Sequence, residues 1–246
     1  MSREVRRFQN LEELNCDAAA FFSEWTRRCV AERGTCHLVL SGGSTPEKLY
    51  RKLAGPPFDV SVPWSQIHVH LGDERCVPPT HPDSNYRMAH AALLSRFALP
   101  PERLHRPPGE VSPPEAGARL WEAELRTLFP GPATEDGFPV FDLILLGMGS
   151  DGHTASLFPG HPALEENRHW VAAVTAPAGD PPVPRLTLTL PVINRARCVL
   201  FLVSGKGKKR ILDQVLSGPG DGGGTLPAAR VRPSGSLLWF LDGAYV

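Results

Sequence analysis

The sequence has no C-x-x-C pair, no long apolar run and no excess of charge of either sign. Its five cysteines, Cys16, Cys29, Cys36, Cys76 and Cys198, are odd in number and scattered. That pattern argues against a disulfide framework and for reduced thiols in a cytoplasmic protein. No stretch approaches the roughly 18 apolar residues of a spanning helix. The opening residues, MSREVRRF, lack the apolar centre of a secretory signal. Lys and Arg total 26, as do Asp and Glu, so the electrostatic footprint of a nucleic-acid binder is missing. Neither a membrane nor a nucleic acid is expected as a partner. A local cationic pocket is still allowed, because it needs only two or three side chains.

What the chain does have is length and alternation. Its 246 residues, 41% hydrophobic and 21% charged, are ordinary for a soluble globular protein. No internal repeat or composition break divides it, so one domain over residues 1–246 is expected. LEELNCDAAAFFSEWTRRCVAER (Leu11 to Arg33) carries apolar residues at helical spacing and is stopped by Gly34. Further helices are predicted from Pro46, over Ser84 to Phe97, from Glu115 to Phe129 and from Lys206 to Leu216. Strands are predicted at HLVLSGG, IHVHLGDE, FDLILLG, WVAAVTA, RLTLTL, CVLFLVSG and LLWFLD. Alternating strands and helices predict an α/β fold with a mostly parallel sheet covered on both faces. The Pro-rich stretch from Pro100 to Pro114 reads as a loop.

Open parallel sheets bind ligands beyond the carboxyl ends of their strands, and four polar, mostly glycine-bearing loops fall there. SGGSTPE follows HLVL. Gly42 and Gly43 allow close backbone approach, Ser44 or Thr45 is expected to cap the next helix, and Ser44 with Glu47 fits a capping box. Free N–H groups and a positive dipole end suit phosphate there, although the G-x-x-x-x-G-K-[ST] of a nucleotide loop is absent. GDER closes IHVHL with Asp73, Glu74 and Arg75, whose donor fork fits a carbonyl or phosphate oxygen. SGKGKKR follows CVLFLV, and a lysine beside its glycine turn is well placed for a phosphate. His68 and His70 share a strand face but lack a third ligand, so core or surface histidines are expected and no metal.

The fourth loop, within FDLILLGMGSDGHTASLF (Phe141 to Phe158), spells G-x-G-x-x-G at Gly147, Gly149 and Gly152. A dinucleotide site needs an acidic residue at the end of the next strand. WVAAVTAP ends without one, and Glu165 and Glu166 precede it. The nucleotide reading fails, and His153 beside Asp151 becomes the informative pair.

Together these segments resemble the 6-phosphogluconolactonases. The resemblance rests on LSGGSTPEKLY, LGDERCVPPTHPDSNYRMA, FDLILLGMGSDGHTASLFPGHPAL, RLTLTLPVINRARCVLFLVSGKGKK and LLWFLD, from about Leu40 to Asp242. It implies a doubly wound, Rossmann-like sheet of the sugar-phosphate isomerase/CoA-transferase type, shared with glucosamine-6-phosphate deaminase. It also implies hydrolysis of a small sugar-phosphate lactone without metal or other cofactor, by a monomer or weak homodimer. By motif, the catalytic histidine falls on His153. The phosphate groups fall on Gly42, Gly43, Ser44, Thr45, Arg185 and Lys208, and Arg75 matches the arginine of D-E-R. Asp151 or Asp73 is expected to orient the imidazole or a substrate hydroxyl, and glycine N–H groups or Arg75 to support an oxyanion. The deaminase carries a glutamate five residues after its histidine, where this chain has Phe158. A sugar-phosphate sensor is the rival of another class, and the roughly 35 residues before HLVL are too few for its DNA-binding module.

Overall fold

Continuous apolar runs place the central strands of a seven-stranded parallel sheet. The computed structural model describes residues 2–130, 137–175, 179–217 and 225–243. The strands of that sheet are β1 (Ser2–Arg7), β2 (Cys36–Leu40), β3 (Ile67–Leu71), β5 (Leu104–His105), β6 (Leu143–Leu146), β9 (Cys198–Val203) and β10 (Ser236–Leu241), in the order β1-β10-β9-β6-β2-β3-β5. All of its pairings are parallel. Every residue of β6 and β9 is buried, as strands covered on both faces require. In β6, Leu143 and Leu145 join a core with α1 (Leu11–Arg33), α2 (Ser44–Leu53), α3 (Phe58–Ser61) and α4 (Asn85–Ala92). Ile144 and Leu146 point the other way, into a core with α5 (Pro114–Leu128), α6 (Leu190–Asn194) and α7 (Lys209–Ser217).

Three features depart from the sequence reading. IHVHLGDE is not one strand: it breaks at Gly72, whose N–H binds Leu40 and whose carbonyl accepts from Leu188. The residues beyond form β4 (Asp73–Arg75), which pairs antiparallel with β8 (Arg185–Leu188), itself paired with β7 (Val171–Val174). RLTLTL and WVAAVTA therefore build a second, three-stranded sheet rather than extending the first. The edge strand β1, with sequence SREVRR, went unpredicted, as did the two-residue β5 inside the Pro-rich stretch.

Helix α1 matches its predicted bounds: Asn10 Oδ1 accepts from the N–H of Glu13 at 2.9 Å, and Gly34 ends the helix. At the amino ends of the central strands, buried Asp142 accepts from the His37 N–H at 2.8 Å and from Arg33 Nε at 3.1 Å, and pairs with Arg197 Nε at 3.2 Å. Among the described residues, no helix is long and apolar enough to cross a membrane.

His68 and His70 do meet further histidines, though among the described residues no group of three ligand-type side chains is arranged to hold a metal. Registers His37↔His68 and His70↔His105 align four rings across β2, β3 and β5, stacked 4.5 to 5.4 Å apart. His37 Nδ1 lies 3.1 Å from His70 Nε2, and His68 Nδ1 lies 3.0 Å from His105 Nε2. His105 Nδ1 then meets Glu124 of α5 at 2.9 Å. Burial, reinforced by the neighbouring rings, pushes His70 far below the usual imidazole range and His37 to about 3. Burial, with His105 and Arg103 acting in the same sense, also lowers His68.

This cluster sets an acid limit on stability. The unfolded chain takes up protons below about pH 6.5, whereas the folded rings refuse them until pH falls much further. Stability is therefore unaffected above about pH 6.5 and is lost as pH falls from there toward 3, by up to about 1.4 kcal/mol per histidine per pH unit. Urea denaturation at pH 7.5 and 5.0 is predicted to give a lower midpoint at pH 5.0, and a smaller drop in His70→Leu. Equal drops in both proteins would contradict this assignment.

Candidate active site

One cavity of about 460 Å³ opens where the carboxyl ends of β2, β6 and β9 meet the small sheet. Gly42, Gly43, Ser44, Thr45, Asp73, Arg75, His153, Arg185 and Lys208 all line it, and Asp151 stands behind His153. A groove of about 610 Å³ between α5 and β7 is larger. It holds none of the predicted residues, and its carboxylate Glu122 is committed to Arg126 and to backbone N–H groups.

The loop after β6 turns sharply to present the imidazole. Thr154 Oγ1 donates to the carbonyl of Gly147 at 2.8 Å, and the Gly149 N–H donates to the carbonyl of His153 at 2.9 Å. A Cβ at Gly149 would stand 2.2 Å from the His153 ring and 2.7 Å from Asp151 Oδ1, so only glycine leaves room for that pair. His153 Nδ1 lies 2.6 Å from Asp151 Oδ1, and the His153 N–H donates to the same oxygen at 3.0 Å. Burial opposes ionisation of Asp151, but the hydrogen bonds from His153 prevail and hold its carboxyl below the ordinary value. A carboxylate accepts, so in a neutral ring the proton sits on Nδ1 and Nε2 is left as the base. Phe158 packs its ring 4.7 Å from the imidazole.

The loop after β2 departs from its predicted capping. Helix α2 begins at Ser44 itself, with Gly43 as the cap residue at φ 102 and no side-chain acceptor. Ser44 is exposed, and Thr45 Oγ1 instead meets Ser204 Oγ at 2.8 Å. Glu47 pairs with Arg51 rather than closing a capping box. An uncapped helix start at the cavity wall keeps its first N–H groups for a ligand. Tyr50, fully buried, fixes the approach: its hydroxyl accepts from the Ser41 N–H at 2.9 Å and donates to the Ser41 carbonyl at 2.8 Å.

The small sheet supplies two of the cations, Arg75 and Arg185. They are cross-strand partners, a like-charge pairing that costs stability unless something offsets it. Among the described residues, the Nε of each is buried without a hydrogen-bond partner. Arg185 is 3% exposed, donates to the carbonyl of Pro181 at 3.0 Å and lies over Phe158 at 5.5 Å. Burial draws its guanidinium below the ordinary value, with Asp73 opposing that change. Burial likewise lowers half-buried Lys208, with Asp242 opposing.

Asp73 does not meet the imidazole. Its Oδ2 accepts from Ser156 Oγ at 2.6 Å and its Oδ1 from Asn85 Nδ2 at 3.3 Å. Of the two aspartates, Asp151 is the one that touches the imidazole. Four residues with structural tasks here went unassigned in the sequence: Tyr50, Glu74, Asn85 and Ser156. The Glu74 carboxylate accepts from the N–H groups of Arg75, Asn85 and Tyr86 and from Ser84 Oγ, at 2.7 to 3.0 Å. It thereby pins the start of α4 to the cavity. Burial raises its pKa, although those bonds oppose the change. The HPDSNY run was the one available signal for this anchor.

If Gly149 is required by the close approach of the imidazole, Gly149→Ala is predicted to keep the fold while lowering kcat by about 10²-fold, the cost of roughly an ångström of misplacement. Circular dichroism together with steady-state kinetics checks this, and unchanged kcat would contradict it.

The chain is similar to known proteins of one family. The family model described as glucosamine-6-phosphate isomerases/6-phosphogluconolactonase matches residues 9–239. A 6-phosphogluconolactonase of Synechocystis sp. is 44% identical over 215 residues, covering 87% of this chain and 85% of that protein. The structure of 6-phosphogluconolactonase from Thermotoga maritima superposes with a TM-score of 0.83 at 32% identity, covering 98% of this chain and 100% of that one. A monomeric glucosamine-6-phosphate deaminase shares the fold alone, with a TM-score of 0.80 at 23% identity and 98% of each chain covered. By the extent of the family match and the identity to this relative, the chain belongs to the glucosamine-6-phosphate isomerase/6-phosphogluconolactonase family.

Proposed function

We propose that the chain is a lactone hydrolase that converts 6-phospho-D-glucono-1,5-lactone to 6-phospho-D-gluconate, the reaction of the oxidative pentose phosphate pathway. The 6-phosphogluconolactonase names of its relatives support the reaction. The observation that carries it in this chain is an imidazole paired through Nδ1 with a carboxylate, in a cavity also lined by two arginines whose buried Nε atoms have no partner among the described residues.

The residues divide the work as follows. Arg185, Lys208 and the open N-terminus of α2 at Gly43 to Thr45 bind the phosphate. Each charge-assisted bond contributes about 1.5–3 kcal/mol. His153 Nε2 takes a proton from water as its oxygen attacks the lactone carbonyl. Asp151 holds the tautomer and stabilises the imidazolium that forms. His153 then gives the proton to the ring oxygen as the C–O bond breaks. Arg75 or glycine-rich backbone N–H groups support the developing oxyanion. The proton transfers of bond making and bond breaking both pass through His153, and the scheme uses no cofactor. Five unpaired cysteines fit a cytoplasmic enzyme.

The deaminase reading shares the fold but needs a proton carrier where Phe158 stands, and a buried phenyl ring offers none. The two readings separate in one assay. Purified protein is predicted to accelerate acid release from the lactone without added metal and to leave glucosamine 6-phosphate unchanged. Binding of the phosphogluconate with no rate above background would instead favour a sensor. His153→Ala is predicted to lower kcat by about 10²–10⁴-fold, and Lys208→Ala to raise KM about tenfold or more with kcat nearly kept. Full activity in His153→Ala would remove the base.

A further inference from the structure

Asp73 has no evident task in the scheme above, yet three elements cooperate to hold it. Its carboxylate lines the cavity at 6% exposure. Ser156, fully buried, donates from Oγ at 2.6 Å and anchors its own N–H on Thr187 Oγ1 at 3.3 Å. Ser156 reaches this position through a tight turn in which Ala155 adopts φ 46, left-handed backbone that is unusual for a residue with a side chain. Asn85, 2% exposed, donates to both the Asp73 carbonyl at 3.0 Å and its Oδ1. It fits only because Gly42 has no side chain: a Cβ there would lie 2.0 Å from Asn85 Oδ1.

A fixed negative charge in a phosphate-ester pocket weakens binding of the anion it accompanies. His153 does not use it, since Asp151 already serves the ring. The hydrolysis itself supplies a reason. The water oxygen bonds to C1, the C1–ring oxygen bond breaks, one proton ends on the ring oxygen as a hydroxyl and the other leaves the new carboxylic acid. At neutral pH that acid is ionised. Product and substrate therefore share the phosphate and most hydroxyls but differ by one negative charge at C1.

We propose that Asp73 discriminates against the hydrolysed product by repelling its new carboxylate, with Ser156 and Asn85 as the positioning residues that aim it. The inference rests on the lactonase reading. It assigns the Asp73–Ser156 pair to product release rather than to bond breaking. Ser156 acts through Asp73 and touches no reacting atom.

Isothermal titration with two compounds isolates the effect from turnover. 6-Phosphogluconate carries the carboxylate; glucitol 6-phosphate has the same carbon chain and phosphate with a neutral hydroxymethyl at C1. Asp73→Asn is predicted to tighten 6-phosphogluconate about tenfold while changing glucitol 6-phosphate less than about twofold. Ser156→Ala is predicted to shift the ratio of the two dissociation constants in the same sense by a smaller factor. Retained glucitol 6-phosphate binding shows that the pocket is intact in each variant. Equal changes for both ligands, or weaker 6-phosphogluconate binding, would overturn the proposal, since Asp73 would then be contacting a group common to both. Loss of all glucitol 6-phosphate binding in both variants would also overturn it, by making the pair structural. The rate assay on the lactone decides the lactonase reading separately.

Discussion

The short contact between His153 Nδ1 and Asp151 Oδ1, 2.6 Å long, is the interaction on which the site depends. It is local, between residues two apart, and it exists only because Gly149 leaves the space that a side chain would fill. The same turn carries Thr154 back to Gly147, Ser156 to Asp73 and Phe158 against the imidazole. One glycine-permitted bend therefore brings His153, Asp151, Ser156 and Phe158 to their places. The buried parallel strand β6 beneath it holds the bend in place.

The second constraint is the junction of two sheets. The main sheet delivers the loops after β2, β6 and β9, and the small antiparallel sheet delivers Asp73, Arg75 and Arg185. Break of the chain at Gly72 is what transfers residues 73–75 from one sheet to the other. Two cross-strand arginines then face the cavity, an arrangement that an apolar core would not tolerate and that a bound dianion offsets. Opposed to them, Asp73 keeps the pocket from being uniformly attractive to anions. The balance matters to an enzyme whose product is more negative than its substrate.

Much of the fold was legible because period and burial agree. Leu11 to Arg33 shows helical spacing and a terminal glycine, and FDLILLG and CVLFLVSG are apolar throughout. The strand β1 was hidden because SREVRR is polar at a sheet edge that needs no apolar face. RLTLTL alternates, yet every residue of β8 is buried, Thr187 included, so its antiparallel pairing in a second sheet was not legible from a solvated face. Ser44 was misread as a cap because the helix starts at Ser44 and leaves its end open. In the site, the residues next to glycine-bearing strand ends were recognisable, and the family resemblance gave them roles. Tyr50, Glu74, Asn85 and Ser156 were not, because each acts through a contact that only the folded chain makes. Ser156 lies 83 residues from Asp73 in sequence, and no local pattern links them. The four-histidine stack was half visible in H-x-H, but His37 and His105 enter by strand register alone.

The central claim is that Asp151 fixes the imidazole so that Nε2 serves as the base. The most direct measurement is steady-state lactone hydrolysis by Asp151→Asn, which keeps the shape of the side chain but can donate to Nδ1 and so stabilises the wrong tautomer. A fall in kcat of about 10²–10⁴-fold, the scale of general-base catalysis, with KM nearly unchanged is predicted. Wild-type kcat in that variant would contradict the account.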